Sequence, residues 1–98
     1  MRITDIQIRK TGGKSALQAV VSITIYNSFA IHDIKIISTE KGLLVVMPNK
    51  QGRDGKYRDI AHPVSVRART YVEKKVLEAY RLLLEEAPLL EVAASVEG

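Results

Sequence analysis

The chain of 98 residues has the length of a single domain, and it contains no cysteine, which excludes a disulfide framework, thiol catalysis and thiolate-bound zinc. Its net charge of +4 is unevenly spread: residues 50–81 hold nine Lys/Arg against four Asp/Glu, whereas residues 82–98 hold four glutamates and no basic residue. No apolar run approaches the roughly 20 residues that cross a bilayer, and the N-terminus lacks a signal-peptide pattern. We therefore expect a cytoplasmic protein with no membrane partner.

Alternating apolar and polar residues predict an antiparallel β-meander in the first half of the chain. The alternation is clearest from Leu17 to Ile25, which follows a glycine-containing turn and so favours a β-hairpin with the strand before it. The predicted strands span about residues 3–8, 16–25, 29–37 and 43–47, with turns at 11–14, 26–28 and 38–42.

The segment that follows the fourth strand has the pattern of a projecting hairpin. Leu43 to Met47 are almost wholly apolar, which predicts a strand buried on both faces. The next residues are polar and contain an Asp54-Gly55 pair, a strong turn signal. A short strand at Tyr57 to Ala61 is expected to close the hairpin, and Pro63 ends it.

The apolar period then changes to that of an amphipathic helix, predicted from Val66 to Glu86. Ser65 is in position to cap a helix that begins at Val66, while Thr70 and Glu73 form a capping-box pattern for one that begins at Tyr71. We favour the earlier start, with a kink between the two positions.

Pro88 is expected to end this helix. The sequence thus predicts an α+β fold, with an antiparallel sheet of about five strands, a projecting hairpin and a C-terminal helix. One domain is expected over residues 1–86, followed by a flexible acidic tail at 87–98.

Residue types that carry catalysis or bind metal are sparse. The chain has two histidines: His32 lies beside Asp33 within a strand, and His62 precedes Pro63. A metal site needs three or four converging ligands, and two histidines with scattered carboxylates do not indicate one. Ser28, His32 and Asp33 have the residue types of a catalytic triad, but their spacing does not indicate a triad. We expect no enzyme activity, no catalytic residues, no metal, no cofactor and no small-molecule substrate.

The basic residues of the central stretch favour nucleic-acid binding. Those around the Asp54-Gly55 turn would be displayed by a hairpin, and those near the helix start stand where the helix dipole disfavours cations by about 0.3–1 kcal/mol unless a phosphate also binds. The chain has five aromatic residues and no tryptophan, so contacts to the phosphate backbone of a nucleic acid fit better than stacking on its bases. The candidate binding residues are Lys50, Arg53, Lys56, Arg58, Arg67, Arg69, Lys74 and Lys75.

Two central blocks resemble the stage V sporulation protein G (SpoVG) family. The first block begins with Ile31-His32-Asp33-Ile34 and continues, after a turn, from Gly42 to Lys50. The second block runs from Asp54 to Pro63 and reads Asp-Gly-Lys-Tyr-Arg-Asp-Ile-Ala-His-Pro. The resemblance covers roughly residues 1–85. It implies a homodimeric regulator of sporulation, septation and gene expression that binds DNA, and in some relatives RNA, through basic residues around the helix.

The sequence departs from many relatives at Gln51 and Thr70, where a basic residue is common, and this leaves target preference open. We hypothesise that Asp33, Asp59 and His62, together with Arg58, form a structural polar network that fixes the hairpin against the sheet. The alternative function is a protein-interaction module that regulates cell division without touching nucleic acid.

Overall fold

The computed structural model describes the backbone of residues 1–11 and 15–97 and the side chains up to residue 85. Six strands precede one helix, which confirms the predicted α+β fold. In chain order the elements are β1 (Ile3–Lys10), β2 (Leu17–Ile25), β3 (Phe29–Thr39), β4 (Gly42–Val46), β5 (Asn49–Gln51), β6 (Tyr57–Asp59) and α1 (Val66–Glu97).

The first four strands form an antiparallel sheet in the order β1-β2-β3-β4, as the meander prediction requires. β2 and β3 are joined by a tight turn in which Tyr26 and Asn27 both adopt positive φ angles, of 50° and 53°. The Ser28 N–H donates to the Ile25 carbonyl across it at 2.9 Å. Two successive residues in the left-handed region of φ give a turn whose twist matches the right-handed twist of the strands, so two residues are enough to connect them.

The core lies between one face of this sheet and α1. Val72, Val76 and Tyr80 recur every four residues, so they fall on one stripe of the helix, and each is at least 95% buried. From the sheet, the alternating residues Ala19, Val21, Ile23, Ile34 and Ile36 complete this cluster. The helical and strand periods therefore define the same interior.

The start of α1 is decided in favour of Ser65. Its Oγ accepts a hydrogen bond from the Ala68 N–H at 3.1 Å, and its carbonyl accepts one from Arg69 N–H at 3.0 Å. Ser65 is therefore the N-cap, and its side chain satisfies one of the unpaired amide groups of the first turn.

The predicted end of the helix at Pro88 is wrong, because α1 continues to Glu97. Proline removes one backbone donor, but the alanine, leucine and glutamate residues around it have high helix propensity and carry the helix past it. The side chains of residues 86–98 lie outside the described residues, so the flexible acidic tail at 87–98 stays a prediction.

The prediction that the fourth strand is buried on both faces is also wrong for the single chain. Among the residues described, β4 pairs with β3 alone, and Leu43 and Leu44 are 45% and 51% exposed. An apolar run indicates burial but does not tell which neighbour supplies it. In this chain β4 ends the sheet, and one of its edges is free.

Candidate nucleic-acid interface

The predicted hairpin exists and stands as a separate two-stranded sheet of β5 and β6. Its loop is closed by the Gly52 N–H donating to the Lys56 carbonyl at 2.8 Å and the Gly55 N–H donating to the Gly52 carbonyl at 3.0 Å. Gly55 has a φ of 82°, a conformation that glycine adopts without strain. The Asp54-Gly55 signal thus marks the turn correctly.

Asp54 and Arg58 fix the shape of this loop. The Asp54 carboxylate accepts two bonds from the Arg58 guanidinium, at 3.2 Å and 2.7 Å, and one from the Lys56 N–H at 3.1 Å. The hydrogen bonds from Arg58, and then from the Lys56 amide, lower the pKa of Asp54. A side chain on Gly52 would meet the Arg58 guanidinium at 2.6 Å, so glycine there leaves room for the pair. Arg58 therefore positions the loop.

The other three basic residues of the hairpin are Lys50, Arg53 and Lys56, which we term the hairpin cations. All three are exposed, and no salt bridge involving them is found among the side chains described. Lys50 lies directly opposite Arg58 in the β5–β6 register. Asp54 compensates the charge of Arg58, so the positive charge that the hairpin presents comes from Lys50, Arg53 and Lys56.

The four predicted cations of the helix do not share one surface. Successive residues turn by about 100°, so Arg67 and Arg69 point about 160° apart. Arg69 also reaches Glu73, with 4.0 Å between the charged atoms. Lys75 lies 5.9 Å from the centre of the Tyr71 ring, in a cleft beside β1. The basic residues of the helix are therefore divided among different surfaces.

A smaller basic group does lie on the outer face of the helix. Arg67 and Lys74 are seven residues apart, and Arg81 follows after another seven, so the three fall within about 40° of one another. All three are exposed. We call them the outer helix cations. Sequence reasoning missed Arg81, although the seven-residue spacing is visible in the chain and would have found it.

A model of the SpoVG family matches residues 1–82 of this chain. A protein of Lachnospira eligens is 51% identical over 80 residues, which cover 82% of this chain and 91% of that protein. The chain belongs to the SpoVG family. It is also similar to proteins of Agathobacter rectalis, at 48% identity over 85 residues (87% of this chain, 98% of that protein), and Lachnoclostridium phytofermentans, at 44% over 91 residues (93% and 98%). All three relatives are named "Putative septation protein SpoVG".

The SpoVG match contains the hairpin, the helix start and every predicted cation, as well as Arg81. The acidic residues from Glu85 onward lie beyond it. The resemblance drawn from the two central blocks is therefore confirmed at the level of the family. No helix in the described part of the chain is long and apolar enough to span a membrane.

The proposed polar network of this SpoVG chain is not assembled in the single protomer. Arg58 is engaged by Asp54, and the His62 ring pairs with the Pro63 carbonyl at 3.1 Å. The hydrogen bonds found among the described side chains do not join Asp33 to Asp59 or His62. Because Arg58 pairs with Asp54 within the hairpin, its guanidinium is not available to join Asp33, Asp59 and His62.

Asp33 has a different setting from the one proposed. It sits with a φ of 64° where β3 bulges against β2, since the pairing shifts between Val21 and Ile23. The bulge brings the His32 ring 2.9 Å from the Ser22 hydroxyl on the open face of the sheet. Among the residues described, no group of three or more His, Asp or Glu is placed to hold a metal ion.

Proposed function

We propose that this SpoVG protein is a homodimeric regulator that binds the backbone of DNA or RNA and acts in septation and sporulation. The observation that carries the proposal is the hairpin, which holds three exposed cations on a loop whose shape is fixed by the Asp54–Arg58 pair. The names of the relatives support the septation role.

Charge placement supports the binding of a polyanion in two independent places. In the hairpin, Lys50, Arg53 and Lys56 are exposed, and no salt bridge involves them among the described side chains. In the helix, the first turn holds Arg67 and Arg69 and no acidic residue, which is the reverse of the arrangement that stabilises a helix. The arrangement at the helix start costs stability in the free protein, and a phosphodiester chain would offset that cost.

The two ion pairs in the described region do not neutralise these surfaces. Arg58–Asp54 and Arg69–Glu73 are both solvent-exposed, with side chains 42–63% accessible. Exposed pairs are typically worth about 0–1 kcal/mol and yield to competing anions. The hairpin cations and the outer helix cations are then available as two contact regions.

The test is a salt-titrated binding assay with duplex DNA, single-stranded DNA and RNA in parallel. If a dimer neutralises about six phosphates, the logarithm of the affinity falls against the logarithm of salt concentration with a slope near −5 for duplex DNA. A slope close to zero on all three nucleic acids would contradict the proposal.

A protein-interaction module is the second candidate, and one observation favours it. Tyr57, Ile60, Val64 and Val66 are 68%, 68%, 92% and 82% exposed along the segment between hairpin and helix. Exposed apolar residues this close together in the chain are typical of contact surfaces. This candidate predicts that Ile60→Asp abolishes the effect on septation, whereas alanine at the three hairpin cations leaves it intact. The opposite result favours nucleic-acid binding.

A further inference from the structure

The first strand, β1, lies at the other edge of the main sheet, and the helix supplies a partner to one of its outward backbone groups. In the described part of the chain, β1 pairs with β2 alone. The Arg2 carbonyl accepts a hydrogen bond from the Tyr26 N–H at 3.0 Å, so it faces β2. The Ile3 N–H points the other way and donates to the Tyr71 hydroxyl at 3.0 Å. Beyond Ile3, alternate residues of β1 direct their backbone groups outward, where a further strand could pair with them.

A groove runs along this edge, between β1 and one stripe of α1. The stripe has members three or four residues apart, which share one side of the helix: Tyr71, Lys75, Ala79 and Leu82. The first two members line one part of the groove with residues 2–6, and the last two line the next part with Ile6 and Ile8. Because Ile6 borders both parts, they form one continuous channel, which we call the β1–α1 groove.

The strand and the helix run side by side along the β1–α1 groove. From residue 2 to residue 8, β1 advances by about 20 Å at roughly 3.3 Å per residue. From residue 71 to residue 83, α1 advances by about 18 Å at roughly 1.5 Å per residue. The groove therefore has the length of about six extended residues.

The chemistry of the groove changes along its length. The part beside the middle of β1 has a volume of about 280 Å³ and is lined by apolar side chains alone, of which Leu82 is 58% exposed. The part beside the start of β1 has a volume of about 560 Å³ and carries Arg2 and Lys75 against one acidic residue, Asp5. Neither cation forms a salt bridge among the described side chains. The groove thus offers apolar surface in one half and positive charge in the other.

These features fit an extended acidic peptide better than a nucleic acid or a second copy of the chain. A phosphate backbone offers neither apolar side chains nor amide groups that pair with a strand edge. A second β1, paired antiparallel, would bring its own Arg9 and Lys10 to the end that carries Arg2 and Lys75, where like charges repel. A peptide instead supplies backbone hydrogen bonds along β1, an apolar side chain at every second position and a carboxylate for the basic end.

We infer that the β1–α1 groove binds an extended peptide of another protein, which adds to the main sheet as a strand antiparallel to β1. Apolar side chains at alternate positions of the peptide lie beside Ile6, Ile8 and Leu82. An aspartate or glutamate of the peptide faces Arg2 and Lys75. This acidic residue follows the apolar ones, because antiparallel pairing, the mode of every strand pair in this sheet, brings the C-terminal end of the peptide to the start of β1. The inference rests neither on nucleic-acid binding nor on dimer formation.

The first test selects a ligand without assuming its sequence. The probe is a phage library of random peptides of about ten residues, which span the groove at roughly 3.3 Å per residue. Selection on the full chain should enrich peptides in which apolar residues occupy alternate positions and an acidic residue follows them. An enriched peptide is then labelled, and its Kd is measured by fluorescence anisotropy.

Lys75→Glu and Lys74→Glu are a matched pair for this measurement. Both lysines are exposed and adjacent on α1, but of the two only Lys75 lines the groove. Lys75→Glu replaces an attraction with a repulsion and should raise the peptide Kd about tenfold, whereas Lys74→Glu should leave it unchanged. For duplex DNA the order should be reversed, since Lys74 belongs to the outer helix cations. Peptide binding by a chain without affinity for nucleic acid would refute the proposed function and leave this inference standing.

The second test examines strand addition without changing the chain. N-methylation of alternate peptide amides, at the positions that face β1, removes their hydrogen bonds and should weaken binding about tenfold or more. Methylation of the intervening amides, which face away from β1, should leave the Kd nearly unchanged. This comparison decides the matter even if Lys75→Glu does not fold.

Any one of the following results would overturn the inference. They are a selection that enriches no peptides with the alternating pattern, equal effects of Lys74→Glu and Lys75→Glu on the peptide Kd, equal effects of the two methylation patterns, and complete displacement of the peptide by duplex DNA. The last result would assign the β1–α1 groove to nucleic acid instead.

Discussion

Replacing the three hairpin cations with alanine should remove a large part of the salt dependence of DNA binding. The structure leaves Lys50, Arg53 and Lys56 exposed and without a salt bridge, so each is free to neutralise one phosphate. Two copies supply six such contacts, each worth about 0.9 in the slope on duplex DNA. These six contacts account for about 1,000-fold of the affinity that the wild type loses between 50 and 200 mM salt, so the triple variant should lose about 1,000-fold less over the same range. The slope that remains in the variant comes from the outer helix cations.

The assay is fluorescence anisotropy with labelled duplex DNA at several salt concentrations, after circular dichroism has shown that each variant is folded. The matched control replaces Arg9, Lys10 and Lys41, three exposed cations outside the hairpin, with alanine and so removes the same charge. Equal loss of slope in both variants would mean that net charge alone governs binding. An unchanged slope in the hairpin variant would refute the assignment of these residues.

Three further predictions concern the scaffold. Val76 is fully buried between helix and sheet, so Val76→Ala should lower the free energy of unfolding by about 2 kcal/mol in urea titration, and no change would contradict the described core. Ser65→Ala removes the N-cap and should cost about 1 kcal/mol, lowering the melting temperature by about 4–8 °C; Ser65→Asp should restore it. The pKa of Asp54 is depressed below its ordinary value of 3.8 in the folded chain. The pairing of Asp54 with Arg58 therefore stabilises the loop above pH 3.8, and this stabilisation is lost as the pH falls through the lower pKa of the folded chain. The Lys56 amide resonance should therefore titrate below pH 3.8, and closer to it in Arg58→Ala; a midpoint at or above 3.8 in the wild type would refute the loop geometry.

The parts of the fold that depend on local chemistry were predictable. The turn at Tyr26-Asn27, the Asp54-Gly55 loop and the helical stripe through Val76 each follow from residues close together in the chain. The SpoVG resemblance rested on two such local blocks. Where short-range preferences decide the structure, the sequence was sufficient.

The parts of the fold that depend on residues far apart in the chain could not be predicted. The exposure of Leu44 depends on which strand ends the sheet, and an apolar run carries no information about that. The opposite directions of Arg67 and Arg69 follow from helix geometry once the helix start is known, but two candidate starts were open. Arg58 was predicted as a nucleic-acid contact, whereas the loop geometry engages it with Asp54.

The most direct test of the binding account is a titration of the isotope-labelled protein with a short DNA duplex, followed by amide chemical shifts. The account predicts that the largest changes fall in residues 49–59 and along the outer helix cations, Arg67, Lys74 and Arg81. Changes centred on the open face of the main sheet around Ser22 and His32, or no changes at all, would contradict it.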